Sequence, residues 1–97
     1  MVSQSNLFSK IKIKKTTFRN RIILSPMCQY KADHGFITDW HIQHYSRFAF
    51  SGLGGAFMEA TAIAKDGRIT HGCTGIWQDQ HIDGLKKITQ IFKGFGC

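Results

Sequence analysis

No run of apolar residues in this sequence approaches the roughly 20 that a membrane-spanning helix requires. The segment from Met1 to Ser9 is mostly polar and lacks the apolar stretch of a secretory leader. Cysteine is scarce, and Cys28, Cys73 and Cys97 form neither a C-x-x-C pair nor a zinc-ligand spacing. The sequence therefore predicts a soluble, cytoplasmic protein with reduced thiols and no metal site.

Acidic residues are also few, with 6 Asp and Glu against 13 Lys and Arg, so the net charge is +7. This balance favours an anionic partner such as nucleic acid, a membrane surface or a phosphorylated cofactor. Lysines crowd the first fifteen residues, but the remaining positive charge is scattered. The sequence contains no arginine-rich stripe, zinc finger or RNA-recognition motif. We therefore expect neither nucleic acid nor a membrane as the partner.

The 97 residues allow at most one small domain, which begins with two strand patterns. Alternating lysine and isoleucine from Lys10 to Lys15 predict a strand with one exposed face, and residues 16–20 allow a hairpin return. The continuous apolar run Ile22–Leu24 predicts a strand buried on both faces. Ser25-Pro26 ends that run, because proline cannot donate to a sheet, and a loop follows as far as Gly35.

Two helices and a further strand are predicted in the rest of the chain. Thr38 is a plausible N-cap of the first helix, which Gly52 ends. Residues 56–63 have the composition of a strand, and the glycine-rich stretch that leads to Trp77 is predicted to be irregular. Asp79 is predicted to cap the second helix. The apolar face of that helix consists of Ile82, Leu85, Ile88 and Phe92, and Gly94 and Gly96 follow it.

The predicted order is hairpin, strand, helix, strand, helix. Strands that alternate with helices are typical of the α/β class, in which βαβ units surround a parallel sheet. Two units neither close a barrel nor cover a sheet, because a parallel strand needs a neighbour on each side. We therefore expect the chain to be a fragment of a larger α/β domain.

Several motifs in register resemble one enzyme family. The main ones are residues 20–30 (NRIILSPMCQY), 59–62 (EATA) and 67–70 (GRIT), and residues 41–45 (HIQHY), 75–77 (GIW) and 79–82 (DQHI) extend the match. Together they resemble the old yellow enzyme family of NADH:flavin oxidoreductases, in its thermophilic-like, cysteine-containing branch. The resemblance implies a TIM (β/α)₈ barrel, which needs roughly 250 residues. Residues 8–20 would form the hairpin at the bottom of the barrel, and 21–97 the first two strand–helix units.

The resemblance also implies roles for six residues. Ser25, Pro26, Met27 and Cys28 match the loop that lines the flavin mononucleotide (FMN) ring, and the Cys28 thiol would tune the flavin. Ala60 matches a small residue that lets the flavin approach the backbone. Tyr30 matches a tyrosine of the substrate pocket. His41 and His44 lack the glutamate and the third ligand of a zinc motif, so we interpret them as packing residues.

In the family, a hydride passes from NADH or NADPH through FMN to an α,β-unsaturated carbonyl compound. The resemblance implies that the paired carbonyl-binding donors and the proton-donating tyrosine lie beyond Cys97. We therefore expect no catalytic residue in this chain, which alone would be inactive, and a full-length parent that is a homo-oligomer. Two alternatives remain open: an inactive relic and a small basic binding module. The sequence does not specify the substrate or a preference between NADH and NADPH.

Overall fold

The structure is a computed structural model and describes residues 5–97. It contains six short strands and two helices. In chain order these are β1 (Ile11–Ile13), β2 (Thr16–Phe18), β3 (Ile23–Leu24), α1 (Asp39–Phe50), β4 (Gly55–Ala56), β5 (Thr61–Ala62), β6 (Thr74–Gly75) and α2 (Ile82–Gly94). Neither helix is long and apolar enough to cross a membrane.

The strands pair two by two. Strands β1 and β2 form the antiparallel hairpin, with Ile13 opposite Thr16 and a turn at Lys14-Lys15. Strand β3 pairs in parallel with β4, and α1 forms the crossover between them, so this βαβ unit is confirmed. The backbone N–H of Phe57 donates to the carbonyl of Leu24 at 3.0 Å and extends the contact beyond β4.

The core lies between the two helices and strand β3. Its buried apolar side chains are Leu24, Tyr45, Leu53 and Ile88. The end of α1 agrees with the sequence prediction, since Ser51 is its C-cap and Gly52 follows with a φ of +93°. The helices thus cover one side of the paired strands β3 and β4.

Several sequence predictions are wrong in detail. The strand expected at residues 56–63 is divided into β4 and β5, because only its two ends find a backbone partner. The stretch expected to be irregular contains β6, in which Thr74 and Gly75 pair in parallel with β5. Ile23 is 37% exposed rather than buried on both faces, because helices cover only one side of its two-stranded sheet.

The start of the second helix also differs from the prediction. Asp79 does not cap α2 but begins a 3₁₀ turn, Asp79–His81, and Gln78 precedes that turn in extended geometry. The chain enters α2 directly from this turn, so Ile82 is its first residue and is 46% exposed. Only Ile88 of the predicted apolar face is fully buried.

Arg19 connects the hairpin to the carboxyl ends of both helices. Its Nε donates to the carbonyl of Leu53 at 2.8 Å, and its Nη1 donates to the carbonyl of Phe95 at 2.7 Å. Its Nη2 lies 3.4 Å from the Sγ of Cys97. One guanidinium thus binds a carbonyl of the loop that follows α1 and the carbonyl of the residue that caps α2.

Replacing Arg19 with methionine is expected to lower the free energy of unfolding by about 2–3 kcal/mol. A hydrogen bond from a charged donor contributes about 1.5–3 kcal/mol to stability. The bond to Phe95 adds little to the contribution of the bond to Leu53, because it is exposed to water. Urea unfolding followed by tryptophan fluorescence measures the loss. Arg21→Met is the matched control, since the exposed Arg21 side chain donates no hydrogen bond within residues 5–97. Equal losses in the two variants would contradict this role of Arg19.

Candidate functional site

The candidate site lies where the parallel strands β3 and β4 end. The carboxyl ends of parallel strands meet at one edge of a sheet, and in α/β folds ligands bind at that edge. The loop Ser25–Tyr30 leaves β3 there, and Glu59-Ala60 follow β4 at the same edge. The structure therefore brings the two predicted cofactor-binding segments to the same end of one βαβ unit.

Most of the loop is open to solvent. Ser25, Pro26 and Met27 are exposed, and Cys28 is half-buried. Within the described part of the chain, the backbone N–H groups of Met27 and Cys28 donate to no other group. Ala60 is exposed, and its carbonyl accepts a hydrogen bond from the Thr74 hydroxyl at 3.1 Å. This edge therefore offers free donors next to a small side chain.

Residues around the start of α1 hold the loop in place. The indole Nε1 of Trp40 donates to Oε1 of Gln29 at 3.0 Å, and the Gln29 Nε2 donates to the carbonyl of Met27 at 3.1 Å. The hydroxyl of Thr38 donates to the carbonyl of Lys31 at 3.0 Å. The loop is thus tied to the helix that follows it.

The end of the loop has an unusual backbone at Tyr30, whose φ of +56° is rare for a residue with a side chain. Gly72 packs directly against this residue, since a Cβ on Gly72 would lie 2.5 Å from the Tyr30 carbonyl oxygen. The carbonyl of Gly72 also accepts from the N–H of Ala32 at 2.9 Å. The neighbouring Cys28 side chain raises the pKa of the Tyr30 phenol.

Beneath the loop lies a buried polar cluster of His41, Tyr45 and Glu59, whose exposed fractions are 0%, 2% and 3%. The Tyr45 hydroxyl donates to Glu59 Oε2 at 2.8 Å and accepts from the Glu59 backbone N–H at 3.1 Å. The Nε2 of His41 lies 3.4 Å from Glu59 Oε1. The cluster joins α1 to the segment that follows β4.

The charge of this cluster resides on Glu59. Burial alone raises the pKa of its carboxyl, but contacts with His41 and Tyr45 outweigh burial and hold the pKa below its usual range. Burial raises the pKa of the Tyr45 phenol well above its usual range. At neutral pH the cluster therefore contains an ionised carboxylate beside a protonated phenol.

Sequence reasoning missed this cluster. It treated Glu59 only as part of a motif, and it interpreted His41 and His44 as packing residues. His44 does pack, edge-on against Tyr45 and Phe48, and burial lowers its pKa. The available signal was one acid in an apolar run together with a histidine and a tyrosine four residues apart on α1. No group of histidine, cysteine, aspartate or glutamate within residues 5–97 has the arrangement of a metal site.

Comparison with known proteins places this geometry in a family. The sequence profile of the NADH:flavin oxidoreductase / NADH oxidase family matches residues 6–97. An NADPH dehydrogenase of Bacillus cytotoxicus is 42% identical over 91 residues, which are 92% of this chain and 26% of that protein. An NADH:flavin oxidoreductase of Gibberella zeae is 44% identical over 85 residues, 88% of this chain and 21% of that protein.

A solved structure extends the similarity to the fold. The old yellow enzyme homologue of Zymomonas mobilis superposes with a TM-score of 0.82 at 27% identity, over 95% of this chain and 26% of that one. The chain thus spans about a quarter of the length of these proteins, and its elements correspond to part of a TIM barrel. The chain belongs to the NADH:flavin oxidoreductase / NADH oxidase family, which includes the old yellow enzymes.

Proposed function

We propose that this chain is the amino-terminal, flavin-binding part of an FMN-dependent NAD(P)H oxidoreductase that reduces α,β-unsaturated carbonyl compounds. Residues 8–20 close the bottom of the barrel, and residues 21–97 supply its first two strand–helix units. The family membership supports the oxidoreductase class, as do the relatives named NADPH dehydrogenase and NADH:flavin oxidoreductase. The chain alone is inactive in this proposal.

The observation that best supports the proposal is the conformation of the loop after β3 and its free backbone donors. Its Met27 and Cys28 N–H groups are free within the described residues, and its backbone is already fixed through Gln29 and Tyr30. A planar heterocycle such as the flavin ring needs such donors at its edge and small residues such as Ala60 beside it. The residues present therefore fit FMN.

Each predicted site residue then has a specific task. Ser25, Pro26 and Met27 would line the ring, and the Cys28 thiol would donate a hydrogen bond that adjusts the electron affinity of the flavin. The Tyr30 phenol, exposed beside Cys28, donates to the carbonyl oxygen of the substrate. These residues would hold FMN, which would supply the chemistry of hydride transfer between the nicotinamide and the second substrate.

A chimera tests the proposal, because this chain covers only part of its relatives. Residues 5–97 replace the matching segment of the Bacillus cytotoxicus NADPH dehydrogenase, which is 42% identical. Titration of the apoprotein with FMN, followed by flavin fluorescence, is expected to show stoichiometric binding. A chimera that folds but does not bind FMN would refute the assignment of the loop after β3 to the flavin site.

Within this chimera, Gly72→Ala is expected to weaken FMN binding by at least about tenfold, or about 1.4 kcal/mol. The added Cβ would lie 2.5 Å from the Tyr30 carbonyl oxygen and must displace the loop backbone. Gly67→Ala is the matched control, since Gly67 also lies between β5 and β6. The atom nearest to its added Cβ would be 3.9 Å away. Unchanged FMN affinity in both variants would show that the loop position does not matter for binding.

A further inference from the structure

Glu59 has no task in the function proposed above, although it lies directly beneath the proposed flavin loop. It is 3% exposed and is the only buried carboxylate among residues 5–97. A buried carboxylate normally loses its charge unless neighbouring groups stabilise the ionised form. The groups that stabilise this one therefore indicate what the charge does.

The side chains nearest to the Glu59 carboxylate are a phenol and an imidazole rather than a lysine or an arginine. Tyr45 donates its hydroxyl proton at 2.8 Å. The Nδ1 of His41 accepts from the Thr38 backbone N–H at 3.0 Å, so the proton of the neutral ring resides on Nε2, 3.4 Å from the carboxylate. Among the described residues, no lysine or arginine lies within 4.0 Å of the carboxylate. Its negative charge is therefore not cancelled locally.

The carboxylate also contacts both segments of the proposed site. The backbone N–H of Gln29, which follows Cys28 in the loop, is one of the groups that keep the pKa of this carboxylate low. On its own segment it immediately precedes Ala60. The charge thus lies next to both segments of the proposed flavin site.

We propose that Glu59 is a positioning residue that fixes the loop through Gln29 and gives the flavin site a permanent buried negative charge. This inference rests on the proposed function. A fixed negative charge disfavours the electron-rich reduced flavin relative to the oxidised flavin, because like charges repel most strongly where water is excluded. Glu59 therefore lowers the reduction potential of the bound FMN without touching the substrate.

The test is a reductive titration of the FMN-loaded chimera against a dye of known potential. Glu59→Gln is expected to raise the midpoint potential, with the preference for oxidised flavin falling roughly tenfold, or about 30 mV for a two-electron couple. Glu59→Met removes the same charge with a side chain of similar volume and is measured in parallel in case Glu59→Gln does not fold. Glu59→Asp restores the charge and is expected to restore most of the potential.

Two controls separate this inference from a general effect on stability. Asp83→Asn removes one negative charge from the exposed face of α2 and is expected to leave the potential unchanged. Amide hydrogen exchange in the flavin-free chimera is expected to be faster at residues 27–31 in Glu59→Gln than in Asp83→Asn. An unchanged potential in Glu59→Gln, together with unchanged exchange of the loop, would overturn the inference while leaving FMN binding intact. A chimera that binds no FMN would instead refute the proposed function, and the exchange experiment would still decide whether Glu59 holds the loop.

Discussion

Gly54→Ala is expected to lower the free energy of unfolding by about 3 kcal/mol or more, the upper end of the range for overpacked sites. Gly54 is buried, and an added Cβ would meet the backbone carbonyl of Asn20 and lie 2.6 Å from its Oδ1. Asn20 cannot move away, because its Nδ2 donates to the carbonyl of Gly52 at 2.8 Å and its Oδ1 accepts from Ile22 at 3.0 Å. The N–H of Gly54 also donates to the carbonyl of Ile22 at 2.9 Å. The substitution would therefore separate β3 from β4.

Gly94→Ala is the matched control for this substitution. A Cβ at Gly94, the last residue of α2, would meet nothing within 4 Å. Alanine is the better helix former, so this variant is expected to gain up to about 0.5–1 kcal/mol. Both changes are measured by urea unfolding of the chimera described above. Similar free energies of unfolding for the two variants would show that the contact between Gly54 and Asn20 is not tight.

Glu59→Ala is expected to lower the free energy of unfolding by about 2–4 kcal/mol, because an unsatisfied buried donor costs about 1–3 kcal/mol and a cavity adds to that cost. The Tyr45 hydroxyl would remain buried without its acceptor, and the lost side chain would leave a cavity. Urea unfolding measures the effect, and Asp83→Asn, an exposed acid on α2, serves as the control with little expected change. A loss below about 1 kcal/mol would mean that the cluster contributes no net stability.

The pH dependence of this contribution has a definite sign. The pKa of Glu59 is lower in the folded chain than in the unfolded chain, so the unfolded state binds more protons in that range. The stabilisation is therefore fully present above the ordinary glutamate pKa of about 4.3 and is lost as the pH falls through the folded pKa. The difference in free energy of unfolding between the unsubstituted chain and Glu59→Gln should narrow as the pH falls from 7 to 3. A constant difference would show that folding does not lower the pKa of Glu59, and a difference that widens as the pH falls would show that folding raises it.

Local patterns were sufficient to predict the hairpin and the two helices. Alternation before residue 16, the Thr38 cap and the glycines after each helix are signals that depend on only a few neighbouring residues. The strands were harder, because pairing depends on partners that are distant in sequence. Thr61-Ala62 and Thr74-Gly75 form a parallel pair although glycine and threonine at residues 70–75 indicate a loop.

One part of the candidate site was also predictable from local sequence, and another part was not. The position of the loop after β3 was predictable, because a proline ended an apolar run, and the topology then placed it at a carboxyl edge. The buried charge could not be predicted, since sequence periodicity does not show that Glu59, Tyr45 and His41 meet across two elements. Only the packing of α1 against the segment after β4 reveals that contact.

The central claim is that the backbone between Met27 and Gln29, together with Ala60, forms one edge of an FMN site. Residue-resolved hydrogen exchange of the chimera, with and without FMN, tests this claim most directly. Slower exchange at the Met27, Cys28 and Ala60 amides on FMN addition, with no change at the hairpin residues 11–18, is the predicted result. Protection by FMN that leaves these three amides unchanged would contradict the claim and place the cofactor elsewhere.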